Sequence, residues 1–222
     1  SIAWREIPHG FFGGHAFFLS MKIWYTDEAL LAVEKPSGLL SVPGRGVDKA
    51  DCLLRRVQAD VPEALLVHRL DMDTSGLMLF ARSAEMQRVL SGLFEKRLIQ
   101  KRYVAWVEGA LEPEEGRVEL PLRKDMEQSL PPRHVVDLVR GKPASTRWRV
   151  VERSAGRTRV ELFPLTGRSH QLRVHMAALG HPIVGDPIYG VRGERLELHA
   201  AGLVFEHPLD GRRIELESVA PF

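Results

Sequence analysis

Two short apolar runs, Leu65-Leu66-Val67 and Leu77-Met78-Leu79-Phe80-Ala81, bracket the polar cluster His68-Arg69-Leu70-Asp71-Met72-Asp73-Thr74-Ser75-Gly76. Apolar runs of this length read as buried strands, so the cluster is expected on a turn that ends at Gly76 and is carried by a sheet. Loops held by a rigid sheet commonly bear catalytic groups. The competing reading is a tight turn whose Asp and Ser serve their own backbone. Further strands are expected at residues 22–25, 29–33, 102–107, 118–122, 144–152, 157–164, 198–206 and 213–219. In the third of these, Tyr103, Ala105 and Val107 share one face.

Helical spacing is rarer. Residues 50–59 place Leu53, Leu54 and Val57 on one face. Behind an N-cap at Ser83, Met86, Val89, Leu90, Leu93 and Phe94 form a stripe that runs to about Arg97, read as core packing. A third helix is expected over 169–179, closed by Gly180. Residues 123–143 are polar and contain Pro131-Pro132, which predicts an irregular, mobile loop. Many strands, few helices and no regular βαβ alternation predict an α+β domain on a mixed, largely antiparallel sheet.

Composition narrows the reading. A chain of 222 residues with 44% hydrophobic content suits one domain, or a domain with a small appendage. The patterned part starts near Met21, so the domain is expected over 21–222, with 1–20 an N-terminal extension or a cloning remnant. The stretch 10–19 is broken by glycines and a histidine, poor as a signal peptide and too short to span a bilayer. A net charge of +2 does not by itself argue for nucleic acid. The single cysteine, Cys52, excludes an intramolecular disulfide and a cysteine metal site, and fits a reducing, cytoplasmic setting. His170 and His175 are five apart, a poor zinc pair, and no metal is expected. Gly-x-Ser-x-Gly, Walker and Gly-x-Gly-x-x-Gly patterns are absent.

A second polar cluster, Thr166-Gly167-Arg168-Ser169-His170-Gln171-Leu172-Arg173, lies at a strand-to-helix junction. Free N–H groups there favour anions, and an arginine can pair bidentately with carboxylate or phosphate. Ordinary capping is the alternative.

Five segments together carry a resemblance. They are Lys35-Pro36-Ser37-Gly38, His68-Arg69-Leu70-Asp71 with Thr74-Ser75-Gly76, Lys101-Arg102-Tyr103, the 166–173 cluster, and Gly185-Asp186-Pro187-Ile188-Tyr189-Gly190. In this order they resemble the motifs of the RluA-type pseudouridine synthases, from Met21 to the C-terminus, most closely the short subgroup without an S4-like RNA-binding domain.

The resemblance implies the pseudouridine synthase catalytic fold with a central RNA-binding cleft. It also implies isomerisation of uridine in structured RNA, a 23S rRNA hairpin or a tRNA anticodon stem-loop, without metal, nucleotide or redox cofactor. A monomer with no membrane and no obligatory protein partner is expected. Asp71, and not Asp73, is the implied essential carboxylate, attacking sugar or base or abstracting a sugar proton; the sequence does not choose among these. Arg168 would pair with Asp71 and keep it ionised. Tyr103 would stack on the uracil and assist removal of the C5 proton, although a phenol with a pKa near 10 is a poor base at neutral pH. Leu172 would pack against the base, and Arg69 would fill the space left by the flipped nucleotide. Arg173, Lys35, Arg45 and Lys101 are the remaining expected RNA contacts, and His68 is expected to support the turn. The competing classes are a non-catalytic RNA-binding protein of this fold and a hydrolase using Asp71 with His68.

Overall fold

The computed structural model describes residues 21–44, 50–127 and 132–222. The expected extension at 1–20 and Arg45 lie outside them. In the described residues, ten strands form one sheet, with the main order β1-β2-β4-β11-β5-β10-β9-β6. These strands are β1 (Ile23–Thr26), β2 (Leu30–Lys35), β4 (Ser75–Ala81), β5 (Gln100–Glu108), β6 (Glu115–Val118), β9 (Thr146–Ser154), β10 (Arg157–Pro164) and β11 (Leu198–Glu206). β3 (Leu65–Leu66) pairs with β4, and β12 (Arg213–Glu217) pairs with β11. Every pairing is antiparallel except β4 with β11, where His199 and Ala200 face Ser75 and Gly76. The expected mixed, largely antiparallel α+β sheet is therefore the observed one.

β4 explains its own apolar run. All seven of its residues are buried because both faces are covered. Leu77, Leu79 and Ala81 pack with helix α2 (Ala84–Glu95), while Met78 and Phe80 pack with Leu53 and Val57 of helix α1 (Leu53–Asp60). Gly76 is required where β4 meets β11. A Cβ there, at φ +117°, would stand 2.3 Å from the carbonyl oxygen of Ala200. Helix α3 (Gln171–Ala178) covers the other half of the sheet, where Leu172 and Met176 meet Ala105, Val107, Val160 and Leu162. Tyr103 touches both core regions, at the seam above which the site opens.

Two expectations are corrected. Residues 118–122 are not one strand: Val118 ends β6 and Leu122 opens β7 (Leu122–Lys124) in a separate two-stranded sheet with β8 (His134–Val136). Pro121 lies at the break, and a proline has no N–H to continue a ladder. The segment 123–143 is accordingly not simply irregular. Its start and the stretch His134–Val136 form the β7–β8 pair, anchored by Leu122, Ala144 and Val174 with Val136 and Tyr189 beside them.

Candidate active site

The loop from His68 to Thr74 is held from both sides before any substrate is considered. Lys35, at the end of β2, is 0% exposed, and its Nζ donates to the carbonyls of Leu39 (2.6 Å), Met72 (2.7 Å) and Pro36 (2.9 Å). Ser41 Oγ donates to the Leu70 carbonyl and accepts the Leu70 N–H. Ser37 Oγ donates to the Asp73 carbonyl, and Gly38 N–H to that of Met72. The expectation that Lys35 reaches an RNA phosphate is thus overturned. Its ammonium is enclosed and already saturated, with three donors for three carbonyls. Burial lowers its pKa to about 8 against the fields of Asp73 and Asp71.

His68 is partly buried at the edge of the cleft. Its Nε2 accepts the Leu79 N–H at 2.9 Å, and its ring stacks on Phe94 at 4.2 Å between centroids. Burial, aided by Lys101, pushes its pKa down to about 3, so the ring is neutral and supports the turn as expected.

These restraints aim Asp71 into a cleft of about 600 Å³ whose walls include Arg69, Tyr103, Arg168, Leu172 and Arg173. Asp73 is not in that wall, which separates two carboxylates that the residues alone left equivalent. Tyr103 approaches from β5, and burial followed by the Asp71 charge raises its phenol pKa strongly. Leu172 is 7% exposed, at the start of α3.

Asp71 is paired by an arginine other than the expected one. Arg173 Nη1 lies 3.6 Å from Asp71 Oδ2, while its Nε and Nη2 each bond Asp186 at 2.7 Å. Arg168 stands outside the helix at the rim of the cleft, where Nε donates to the Pro143 carbonyl at 3.2 Å and the backbone N–H to Gln171 Oε1. The physical reason is position. Residue 173 lies inside α3, whose residues 171–176 are all buried, whereas Arg168 precedes the left-handed turn at His170 (φ 55°). Burial alone would weaken the Arg173 cation, but Asp186 and then Asp71 hold its pKa above the usual arginine value.

Residues unassigned from sequence stand behind Asp71, and of them His170 lines the cleft. The Tyr189 hydroxyl accepts the His134 backbone N–H at 2.8 Å and lies 2.7 Å from His170 Nδ1. With the hydroxyl proton assigned toward Nδ1, the His170 proton is on Nε2. That nitrogen is 3.9 Å from Asp71 Oδ2. The sequence signal for Asp186 and Tyr189 was the Gly185–Gly190 segment, noted without roles; His134 gave none. Among the remaining expected contacts, Lys101 lines the cleft and Arg69 reaches it, exposed and without an ion pair among the described residues. Arg102 does not reach it: it pairs with Glu161 and Glu217. Among the described residues no cluster of His, Cys, Asp or Glu is suited to a metal.

The family model for RNA pseudouridylate synthases matches residues 29–178. The chain belongs to this family. It is 49% identical to the dual-specificity RNA pseudouridine synthase RluA of Vibrio cholerae over 189 residues, covering 83% of this chain and 76% of the relative. To RluA of Escherichia coli K12 it is 47% identical over 206 residues, covering 90% and 93%. Among solved structures it resembles human RNA pseudouridylate synthase domain containing 1, with TM-score 0.77 and 28% identity over 91% of this chain and 84% of the other. The protein is an enzyme that isomerises uridine to pseudouridine in RNA, and the hydrolase and pure-binding readings fall away.

Proposed function

We propose that Asp71 is the group acting on the target uridine, and that the substrates are 23S rRNA and the anticodon stem-loop of tRNA. The observation that carries the proposal is a carboxylate paired with Arg173 in a cleft that Tyr103 also lines. The "dual-specificity" name of the two relatives supports two RNA substrates. The isomerisation breaks the N1–C1′ bond and forms C5–C1′; the C5 proton leaves and N1 gains one. A uridine stacked in a helix cannot present C1′ to a carboxylate, so the nucleotide is flipped into the cleft at a cost of a few kcal/mol. Tyr103 and Leu172 bracket the base, and the Arg69 guanidinium replaces part of the lost stacking. The raised pKa of Tyr103 keeps its phenol protonated, which favours stacking over proton removal for this residue. Arg168, at the rim, contacts RNA and does not tune Asp71. The enzyme works as a cytoplasmic monomer without an obligatory protein partner; no helix among the described residues is long and apolar enough to cross a membrane.

The test is release of tritium from rRNA and tRNA transcripts labelled at uridine C5. Release is expected from both, and Asp71→Asn abolishes it while RNA binding persists. No release from either RNA by folded protein overturns the substrate assignment, and full activity of Asp71→Asn removes Asp71 from the chemistry.

A further inference from the structure

Helices α2 and α3 end in the same backbone motif, with different residues at its demanding position. After α3, Gly180 N–H bonds Ala177 and His181 N–H bonds Met176, with Gly180 at φ 84°. After α2, Arg97 N–H bonds Phe94 and Leu98 N–H bonds Leu93, with Arg97 at φ 61°. This pair of bonds needs a left-handed residue, and glycine takes that conformation without penalty. An arginine there is strained, and strained non-glycine residues are concentrated at functional sites.

Arg97 is exposed and lies in the wall of the active-site cleft, with Lys101. Neither has an ion pair among the described residues, and Glu95 in the same wall is within ion-pair distance of neither. The only hydrogen bond of the Lys101 ammonium among the described residues is a long one, 3.3 Å, to the Thr166 carbonyl. Burial lowers its pKa to about 8, and the Arg97 charge adds to that. Two cations side by side without a carboxylate leave a place for an anion. Lys101 and Tyr103 are two residues apart on one face of β5, so their Cα atoms lie about 7 Å apart along the strand. That is the scale on which a base and the backbone of its own or the adjacent nucleotide are separated.

We propose that Arg97 and Lys101 form a phosphate subsite that grips the RNA backbone beside the flipped uridine, with Arg97 kept in a left-handed conformation for that purpose. The inference rests on the RNA-modifying reading of the same cleft. It accounts for an arginine where α3 has a glycine, and for a half-buried lysine that has no acid.

The experiment uses a fluorescent uridine-containing stem-loop RNA and the full chain, with Kd measured from 50 to 300 mM salt. Arg97→Gly is expected to weaken binding about 5-fold at moderate salt, as loss of one exposed charge pair would. The slope of log K against log salt should become shallower by about 0.7–0.9, one phosphate contact. The loss should be the same when bases flanking the uridine are changed, because a phosphate contact carries no sequence information. Its Tm should equal or exceed that of the parent, since glycine relieves the strain. Arg97→Lys, which keeps charge and strain, should bind nearly as the parent does, and Lys101→Gln should reproduce the shallower slope. Unchanged Kd and slope in Arg97→Gly overturn the subsite, and a lowered Tm overturns it by assigning Arg97 to the fold. If the parent neither binds the RNA nor releases tritium from it, the substrate reading has failed instead; binding and turnover with an unaffected Arg97→Gly fail the subsite alone.

Discussion

Arg173 Nη1 stands 3.6 Å from Asp71 Oδ2, on a guanidinium whose Nε and Nη2 are both fixed to Asp186. Asp186 is itself 0% exposed and accepts the Ile188 and Tyr189 N–H groups on Oδ1. The Asp71 counter-ion is therefore positioned by a second, fully buried carboxylate, and its fork geometry matters as much as its charge.

Arg173→Lys should fail for that reason. A lysine supplies one compact ammonium and cannot bond both Asp186 oxygens and face Asp71 at once. We expect kcat for tritium release to fall at least about 100-fold, the scale of losing one transition-state electrostatic partner. Arg173→Ala leaves Asp186 buried and unpaired and should also lose about 3–5 kcal/mol of stability in urea unfolding. Arg168→Ala, by contrast, should change kcat less than about 10-fold and act on RNA affinity. Equal kcat losses at the two arginines would contradict this division.

How far the sequence carried these roles depends on which residues one asks about. The catalytic loop and the 166–173 segment were legible because short apolar strands deliver polar residues, and Leu172 and Arg173 are adjacent at a helix start. Which arginine meets Asp71 was not. It turns on His170 adopting φ 55° and directing Arg168 to the rim, a choice made by tertiary packing. In the sequence Lys35 reads as solvated, because a lysine beside Pro and Gly has the composition of an exposed loop, and only the three-dimensional return of Met72 and Leu39 encloses it. The β7–β8 pair is not legible in the sequence because three-residue strands carry too little alternation to register. Tyr189 and His134 acquire meaning only through that pair.

Lys35→Met tests the enclosed ammonium. The substitution keeps length and removes every hydrogen bond to the Leu39, Met72 and Pro36 carbonyls. We expect a stability loss of about 2–4 kcal/mol from carbonyls left without their donor. Activity should fall chiefly in kcat, since the loop bearing Asp71 loosens, while RNA affinity changes little. A rise in Kd with full stability would instead make Lys35 a phosphate contact.

Gly76→Ala probes the single parallel junction of the sheet. The added methyl would meet the Ala200 carbonyl oxygen at 2.3 Å, backbone against backbone, at φ +117°. Neither strand can yield without breaking the β4–β11 register. The variant should unfold at lower urea by an amount above the usual 1–3 kcal/mol of overpacking, and the soluble fraction should fall on expression. Parent-like stability would show that β4 and β11 separate more easily than their burial implies.

Buried neutral histidines should make the fold sensitive to mild acid. Burial holds His68 at about 3 and His199 at about 4, against about 6.5 in the unfolded chain. Each folded-state pKa is depressed, so between pH 6.5 and those values the unfolded chain binds more protons than the folded one. The stabilisation is complete above pH 6.5 and is lost as pH falls toward 4 for His199 and toward 3 for His68. Each histidine contributes up to about 1.4 kcal/mol per pH unit within its window. His199 bridges Ser75 Oγ and Ser218 Oγ, both at 2.9 Å, so His199→Gln keeps polar groups near both hydroxyls while removing one titrating site. Urea unfolding at half-unit steps from pH 7.5 to 4.5 should give a midpoint that falls below pH 6.5, and a shallower fall in His199→Gln. A midpoint that stays level from pH 7 to 5 in the parent would mean that neither ring is shut away from protons.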